Sequence, residues 1–206
     1  LGTTKIIVYR RGKGIVLEEP SVVAYNIRTE QVVAVGHEAL AMLGKTPAYI
    51  QTECPIRDGV ISNHLFTEYL VKEFVRKVTR SFLIKPRIAI CIPSSITPVE
   101  ARAVVEAAMS AGARKVYLVD EPLAAAMGAG IDVTAPSGHM MVDSGGGTTD
   151  AAVISLGGGV TADSLRVAGN TFDEAIIKYI QSTYKLAIGS KVSETLKKEI
   201  GCVFEP

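Results

Sequence analysis

The chain repeats itself. Gly2-Thr3-Thr4-Lys5-Ile6-Ile7-Val8-Tyr9-Arg10-Arg11-Gly12-Lys13-Gly14 returns as Gly147-Thr148-Thr149-Asp150-Ala151-Ala152-Val153-Ile154-Ser155-Leu156-Gly157-Gly158-Gly159, with Gly, Thr, Thr, Val, Gly and Gly recurring at the same offsets. Each copy reads as a loop of small residues, an apolar strand, a glycine turn and a return strand. A Gly/Thr loop leaves backbone N–H groups and hydroxyls uncovered, and close approach to a phosphate requires this, because bulkier side chains would hold the backbone away from the anion. Two such loops, one per half, predict a nucleotide clamped between two related lobes.

A length of 206 residues suits two small domains. Net charge is +1, which supplies no bulk electrostatic footprint for nucleic acid, so no nucleic-acid partner is expected. Cys54, Cys91 and Cys202 are odd in number and lack metal spacing, as buried thiols in a reducing compartment would be. His37, His64 and His139 show no ligand spacing either. No signal-peptide pattern appears within these residues, and no apolar run among them is long enough to span a bilayer. The chain opens at Leu1 and closes at Pro206 just after a helix-like stretch, so it reads as a fragment cut at both ends.

Periodicity orders the elements. Residues 3–27 predict three strands separated by Gly12, Gly14 and Pro20, and the punctuated stretch 31–61 reads as part of a small inserted subdomain. Leu65, Tyr69, Leu70, Phe74 and Val78 share one helical face. Arg87 to Ile92 is apolar enough for a buried parallel strand. Thr97-Pro98-Val99-Glu100 then starts a helix, with Thr97 as N-cap, Pro98 at N1 and Glu100 completing a capping box. Lys115–Val119 and Glu121–Gly128 follow as strand and helix. This alternation argues for an α/β layer with parallel pairing. The second half runs in the same order: Met140–Val142, a hairpin and a strand to Val167, then amphipathic helices over Thr171–Tyr184 and Val192–Ile200.

Asp143-Ser144-Gly145-Gly146-Gly147-Thr148-Thr149-Asp150 is the sharpest motif. Three glycines after a strand admit an anion to the backbone. An Asp at the strand end can hold a hydrated Mg²⁺, which keeps its waters and bridges phosphate oxygens. No Gly-Lys-Ser/Thr follows, so this is not a Walker A loop. Asp120-Glu121-Pro122 lies between a strand and a helix; its carboxylates are either a helix cap or a base that orients water toward a γ-phosphate.

At this point the chain resembles the actin/Hsp70/sugar-kinase ATPase superfamily and, within it, the MreB family of bacterial cell-shape actins. The matching stretches are Gly14-Ile-Val-Leu-Glu-Glu-Pro-Ser-Val-Val, Met42-Leu-Gly-Lys-Thr-Pro, Arg57-Asp-Gly-Val-Ile, Glu121-Pro-Leu-Ala-Ala-Ala-Met-Gly-Ala-Gly, Val142-Asp-Ser-Gly-Gly-Gly-Thr-Thr-Asp, Arg166-Val-Ala-Gly-Asn-Thr-Phe-Asp-Glu-Ala-Ile and Glu194-Thr-Leu-Lys-Lys-Glu-Ile-Gly. They run in order over the whole chain. A sugar kinase or an Hsp70-like chaperone, the alternatives within the superfamily, would share only the phosphate loops.

The resemblance implies an α/β, actin-like ATPase fold, with duplicated RNase H-like lobes around a nucleotide cleft. Residues 1–134 would form the first lobe, with a small inserted subdomain at about 23–61, and residues 135–206 the incomplete start of the second. It implies ATP with Mg²⁺, held by Thr3, Thr4 and Lys5 in the first loop and by Gly145, Gly146, Gly147 and Thr148 in the second. Glu121 takes the place of the water-positioning glutamate, Thr148 of an assisting threonine, and Asp143 of an Mg²⁺-side carboxylate. Glu194 and Lys197 match a pair facing the adenosine. It further implies slow ATP hydrolysis coupled to head-to-tail filaments with paired protofilaments, and a cytoplasmic place at the inner face of the bacterial membrane beside the cell-wall synthesis machinery.

Three departures from the family pattern are expected: the leading Asp of the first loop would lie outside this chain, Lys5 replaces the usual Asn, and the C-terminal segment that supplies a Gly-rich loop around the nucleotide would be missing, so the fragment alone is expected to be inactive. Phe82, Leu83 and Ile84, flanked by Arg80, Lys85 and Arg87, suit a membrane-surface loop or, alternatively, core packing beneath it.

Overall fold

The computed structural model describes residues 2–57, 59–79, 85–94 and 96–204. The expected membrane triplet Phe82, Leu83 and Ile84 lies outside the described residues. The first half begins with an antiparallel hairpin, β1 (Lys5–Arg10) and β2 (Gly14–Pro20). A second sheet has the order β4-β3-β5, from β3 (Val23–Asn26), β4 (Gln31–Val35) and β5 (Ile50–Glu53), with α1 (His37–Met42) packed on it. A short hairpin, β6 (Ile56–Arg57) with β7 (Val60–Ile61), leads into α2 (His64–Val78). Then β8 (Arg87–Ile92), α3 (Pro98–Ser110) and β9 (Lys115–Asp120) form the expected parallel β-α-β unit, and α4 (Glu121–Gly128) follows directly. The second half is an antiparallel sheet of β10 (His139–Ser144), β11 (Thr149–Ser155) and β12 (Gly158–Leu165), then α5 (Gly169–Tyr184) and α6 (Ser190–Ile200). Both closing helices start two residues earlier than their apolar periodicity, because capping turns carry no apolar signal.

The sequence repeat is also a repeat of backbone geometry. In the first hairpin the register slips between Val8 and Tyr9; in the second it slips between Val153 and Ile154, the same two positions of the repeat. Such a bulge bends the strand and raises its local twist. Both turns use a left-handed glycine at the same offset, Gly12 at φ 79° and Gly157 at φ 78°. The second hairpin also carries β10 on its free edge, and β1 has no such neighbour among the described residues.

Helix α2 ties the first half together. It starts where the Asn63 side chain accepts the Phe66 N–H at 3.1 Å, and it ends on Arg76 and Lys77, whose charges suit the negative end of the helix dipole. Phe66, Leu70 and Phe74 pack with Ile6, Val23 and Val35, while Val71, on the adjacent flank, packs with Ile90, Ile92, Val104 and Ala108. One amphipathic helix thus fixes the hairpin relative to the parallel pair. Burying Leu70 completely is worth roughly 1.5–3 kcal/mol. Helix α3 begins with the capping box expected: the Glu100 N–H donates to Thr97 Oγ1, and the Thr97 N–H donates to Glu100 Oε2 at 2.8 Å.

Candidate functional site

The first loop, Gly2 to Lys5, is pinned from behind by Ser21, which has no exposed surface. The Ser21 hydroxyl donates to Gly2 O at 2.6 Å and its N–H to Thr4 O at 3.0 Å. In front, Thr3 Oγ1 accepts the Gly59 N–H at 3.0 Å. Gly59 is left-handed, φ 74°, and a Cβ there would stand 2.9 Å from Pro93 Cγ and 3.1 Å from Thr148 Cγ2. The first loop, the β6–β7 turn, the end of β8 and the second loop therefore converge on a glycine that has no room for a side chain.

The second loop joins β10 to β11. The Gly145 N–H closes a turn onto Thr148 O at 2.8 Å, and the start of α5 holds the loop through Asn170 N–H to Gly146 O at 2.8 Å and Gly169 N–H to Gly145 O at 3.2 Å. Gly146 lies against Thr4: a Cβ built on it would run into the Thr4 hydroxyl and come within 3.0 Å of Thr4 Cβ. The two Gly/Thr loops of the repeat thus abut one another. Thr148 is buried beside them. Bare glycine backbone and hydroxyls meeting at one place form a donor set that fits a phosphate chain.

Three carboxylates adjoin this junction. Glu121 is the first residue of α4, whose N-cap Asp120 makes no side-chain capping bond. Burial pushes the Glu121 carboxyl above its ordinary value, and the charges of Asp150 and Asp143 push it further. Asp143 and Asp150 face each other across β10 and β11. Asp150 is 2% exposed, and its Oδ1 has no partner among the described residues. Among the described residues no group of three or more His, Cys, Asp or Glu is placed to hold a metal unaided. Mg²⁺ does not need one, since it takes one or two carboxylates plus waters and substrate phosphates. An orphaned buried carboxylate oxygen beside Asp143 fits such a hydrated ion.

A cleft of about 740 Å³ opens from the first loop, bounded by Thr3, Thr4 and Lys5 on one side and by Asn170, Glu174 and Glu194 on the other. Its size suits a nucleotide. Glu194 is placed on the cleft wall and pairs with Lys198 at 2.6 Å. Lys197 donates to Gly169 O at 2.8 Å and pairs with Asp173 at 2.8 Å, clamping α6 onto the start of α5. Ser193 completes that clamp by donating to Asp173 O at 2.7 Å. The structure thus brings together Thr3, Thr4, Gly145, Gly146, Gly147 and Thr148, with Glu121 and Asp143 nearby. Sequence reasoning missed Ser21, Gly59 and Asp150. An Asp on the inward face of a strand was the one available signal, since β11 alternates with Asp150, Ala152 and Ile154 buried.

A family model described as MreB/Mbl protein matches residues 1–206. The chain is 49% identical over 205 residues to the cell shape-determining protein Mbl of Bacillus cereus, covering 99% of this chain and 62% of that one. Its fold superposes on crystal structures of MreB5 of Spiroplasma citri bound to AMPPNP and to ADP, with TM-score 0.91 and 40% identity over 100% of this chain and 62% of that one. It also matches a MamK double helical filament at TM-score 0.79 and 24% identity, over 97% of this chain and 62% of that one, a likeness of fold. The chain therefore spans about three-fifths of the length of these relatives.

Proposed function

The chain belongs to the MreB/Mbl family and has its actin-like fold, and from that premise we propose that the full-length protein binds and slowly hydrolyses ATP between its two halves and polymerises into filaments that determine cell shape. Residues 1–134, with an insert at about 23–61, form the first lobe in this reading, and 135–206 begin the second. The observation that carries it is the contact between the two repeated loops at Thr4 and Gly146. A phosphate chain bound there would be gripped by both lobes at once, so its presence would couple to their relative position. Relatives crystallised with AMPPNP and ADP support a nucleotide as the ligand.

Thr3, Thr4, Gly145, Gly146 and Gly147 would hold the phosphates, Asp143 would hold the waters of Mg²⁺, and Glu194 would border the nucleoside. Bound ATP would supply the transferable phosphoryl group. Glu121 would orient the attacking water, and Thr148 would steady it. A carboxyl whose proton affinity is raised toward neutrality makes a better base than an ordinary glutamate. Self-association would be head to tail, in paired protofilaments, because a rotation that does not close generates an open filament. The polymer would lie at the inner face of the membrane, beside the wall-synthesis machinery, with Phe82, Leu83 and Ile84 as its apolar contact.

Glu121→Ala in the full-length protein tests this. Phosphate release should fall roughly 10²–10³-fold, the usual size of an acid/base contribution, while ATP affinity changes little. Release at the wild-type rate with ATP bound normally would remove Glu121 from catalysis.

A further inference from the structure

The cleft is acidic. Glu18, Glu19, Glu53, Glu174 and Glu194 line it, while Lys5 and Arg57 are the lysine and arginine among its described lining residues. A polyphosphate would meet that field with little to offset it. Glu19 is committed elsewhere, accepting from Lys77 at 2.9 Å and from the His37 N–H at 2.8 Å. Glu194 is committed to Lys198. Glu18 holds Lys5, with 2.6 Å between Nζ and Oε1.

The hairpin register explains this pairing. Lys5 stands opposite Pro20 and Ile7 opposite Glu18, so Lys5 and Glu18 are diagonal neighbours on one face. Lys5 follows Thr4, whose hydroxyl abuts the second loop. The Lys5 ammonium holds the Glu18 carboxyl below its ordinary value, so Glu18 keeps its charge at neutral pH. Their side chains are 56% and 51% exposed. An ion pair this open is weakly held, and a lysine stem is long and flexible, so exchange of partner costs little.

We infer that Lys5 is an exchangeable phosphate ligand: its ammonium trades Glu18 for a phosphate oxygen of a nucleoside polyphosphate, and Glu18 is the competitor that tempers how tightly the anion is held. This rests on the nucleotide reading above and adds to it the exchange of partner between Glu18 and the anion. Lys5 has a role separate from those of Thr3 and Thr4, since they offer hydroxyls and backbone, and Lys5 offers charge.

The test uses the full-length protein as wild type, Lys5→Gln and Glu18→Gln, titrated calorimetrically with ATP and separately with inorganic tripolyphosphate at two salt concentrations. Lys5→Gln should weaken both ligands roughly tenfold, as loss of a charge-assisted bond does, and flatten the salt dependence. Glu18→Gln should tighten both several-fold, a rough expectation for removing a competing anion. Lys5→Arg should keep most of the affinity. Ligand-free melting temperatures should agree within about 2 °C, because exposed pairs contribute little to stability. Binding by Lys5→Gln within about twofold of wild type would overturn the inference, and so would a Glu18→Gln variant that binds as poorly as Lys5→Gln. A wild-type protein that binds neither ligand would overturn the nucleotide reading itself, and this inference with it.

Discussion

The two copies of the repeat differ in what covers them. In the first, Ile6 is 4% exposed and packs with Phe66, Leu70 and Phe74 of α2. In the second, Asp150, Ala152 and Ile154 are buried and α4 packs against β10 and β11, but on the opposite face Met140 and Val142 are 71% and 56% exposed. Helix α5 carries an apolar stripe much as α2 does, yet it buries no residue: Phe172, Tyr179 and Tyr184 all stand open. Similar local sequence thus builds the same bulged hairpin twice, while burial depends on a partner element. Local chemistry decides that a strand or an amphipathic helix forms, and only the rest of the chain decides whether its apolar face is used.

The largest expected effect measures that contrast. Leu70→Ala removes a side chain with no exposed surface from the helix that covers the first hairpin, and it should cost about 2–5 kcal/mol in urea unfolding of residues 1–206. Val142→Ala, on the open face, should stay within about 0.5 kcal/mol in the same chain. Repeating Val142→Ala in the full-length protein sharpens the contrast: a cost of about 1 kcal/mol or more there would show that further residues cover the face. Equal costs for Leu70→Ala and Val142→Ala in residues 1–206 would erase the distinction.

Much of the fold was legible for the same reason. The capping box at Thr97 and Glu100, the apolar run of β8 and the face formed by Leu70 and Phe74 are local signals, and each element formed where they placed it. The repeated loops were legible too, because small residues in a fixed order have few other uses. The two hairpins share their bulge and turn but bury opposite faces, since Ile6 and Ala151 occupy the same repeat position and only Ile6 is buried. No sequence period could announce this, because the covering helices are different elements. Ser21, Gly59 and the turning of Lys197 onto Asp173 were illegible: each depends on a contact between segments distant in sequence. Which family the chain joins was legible from ordered motifs.

A second contrast lies inside the loops. Gly146 and Gly145 are adjacent and of one type, but a Cβ on Gly146 runs into Thr4 while one on Gly145 meets only Thr148 O, at 3.6 Å. Gly146→Val should therefore displace the first loop, cost about 1–3 kcal/mol through overpacking and abolish thermal stabilisation of the full-length protein by ATP. Gly145→Ala should leave most of that stabilisation in place. Undiminished stabilisation in Gly146→Val would count against contact between the loops as the grip on phosphate.

The smallest expected effect concerns the carboxylates behind the second hairpin, where the covered face is charged rather than apolar. Glu121 has its proton affinity raised by burial first, and by Asp150 and Asp143 after it. The folded state therefore binds the Glu121 proton more tightly than the unfolded state does. Stability from this group is fully present below the unfolded carboxylate value. It falls as pH climbs from there through the raised folded value, and it is level above both. Glu121→Gln cannot ionise, so it should match wild type in acid and melt progressively higher than wild type as pH rises through that window, to a constant advantage beyond it. The first hairpin has no counterpart, since its Glu18 is shifted the other way by Lys5. Glu18→Gln should lose a little stability relative to wild type as pH rises, by an amount that salt screens away. Melting curves of both variants against wild type, from about pH 2.5 to pH 8, should diverge in opposite directions, Glu18→Gln in the acid part of that range and Glu121→Gln above it. Parallel curves for the two variants would mean that Glu121, behind the second hairpin, and Glu18, in the first, sit in equivalent surroundings, and that the difference in cover does not reach the site.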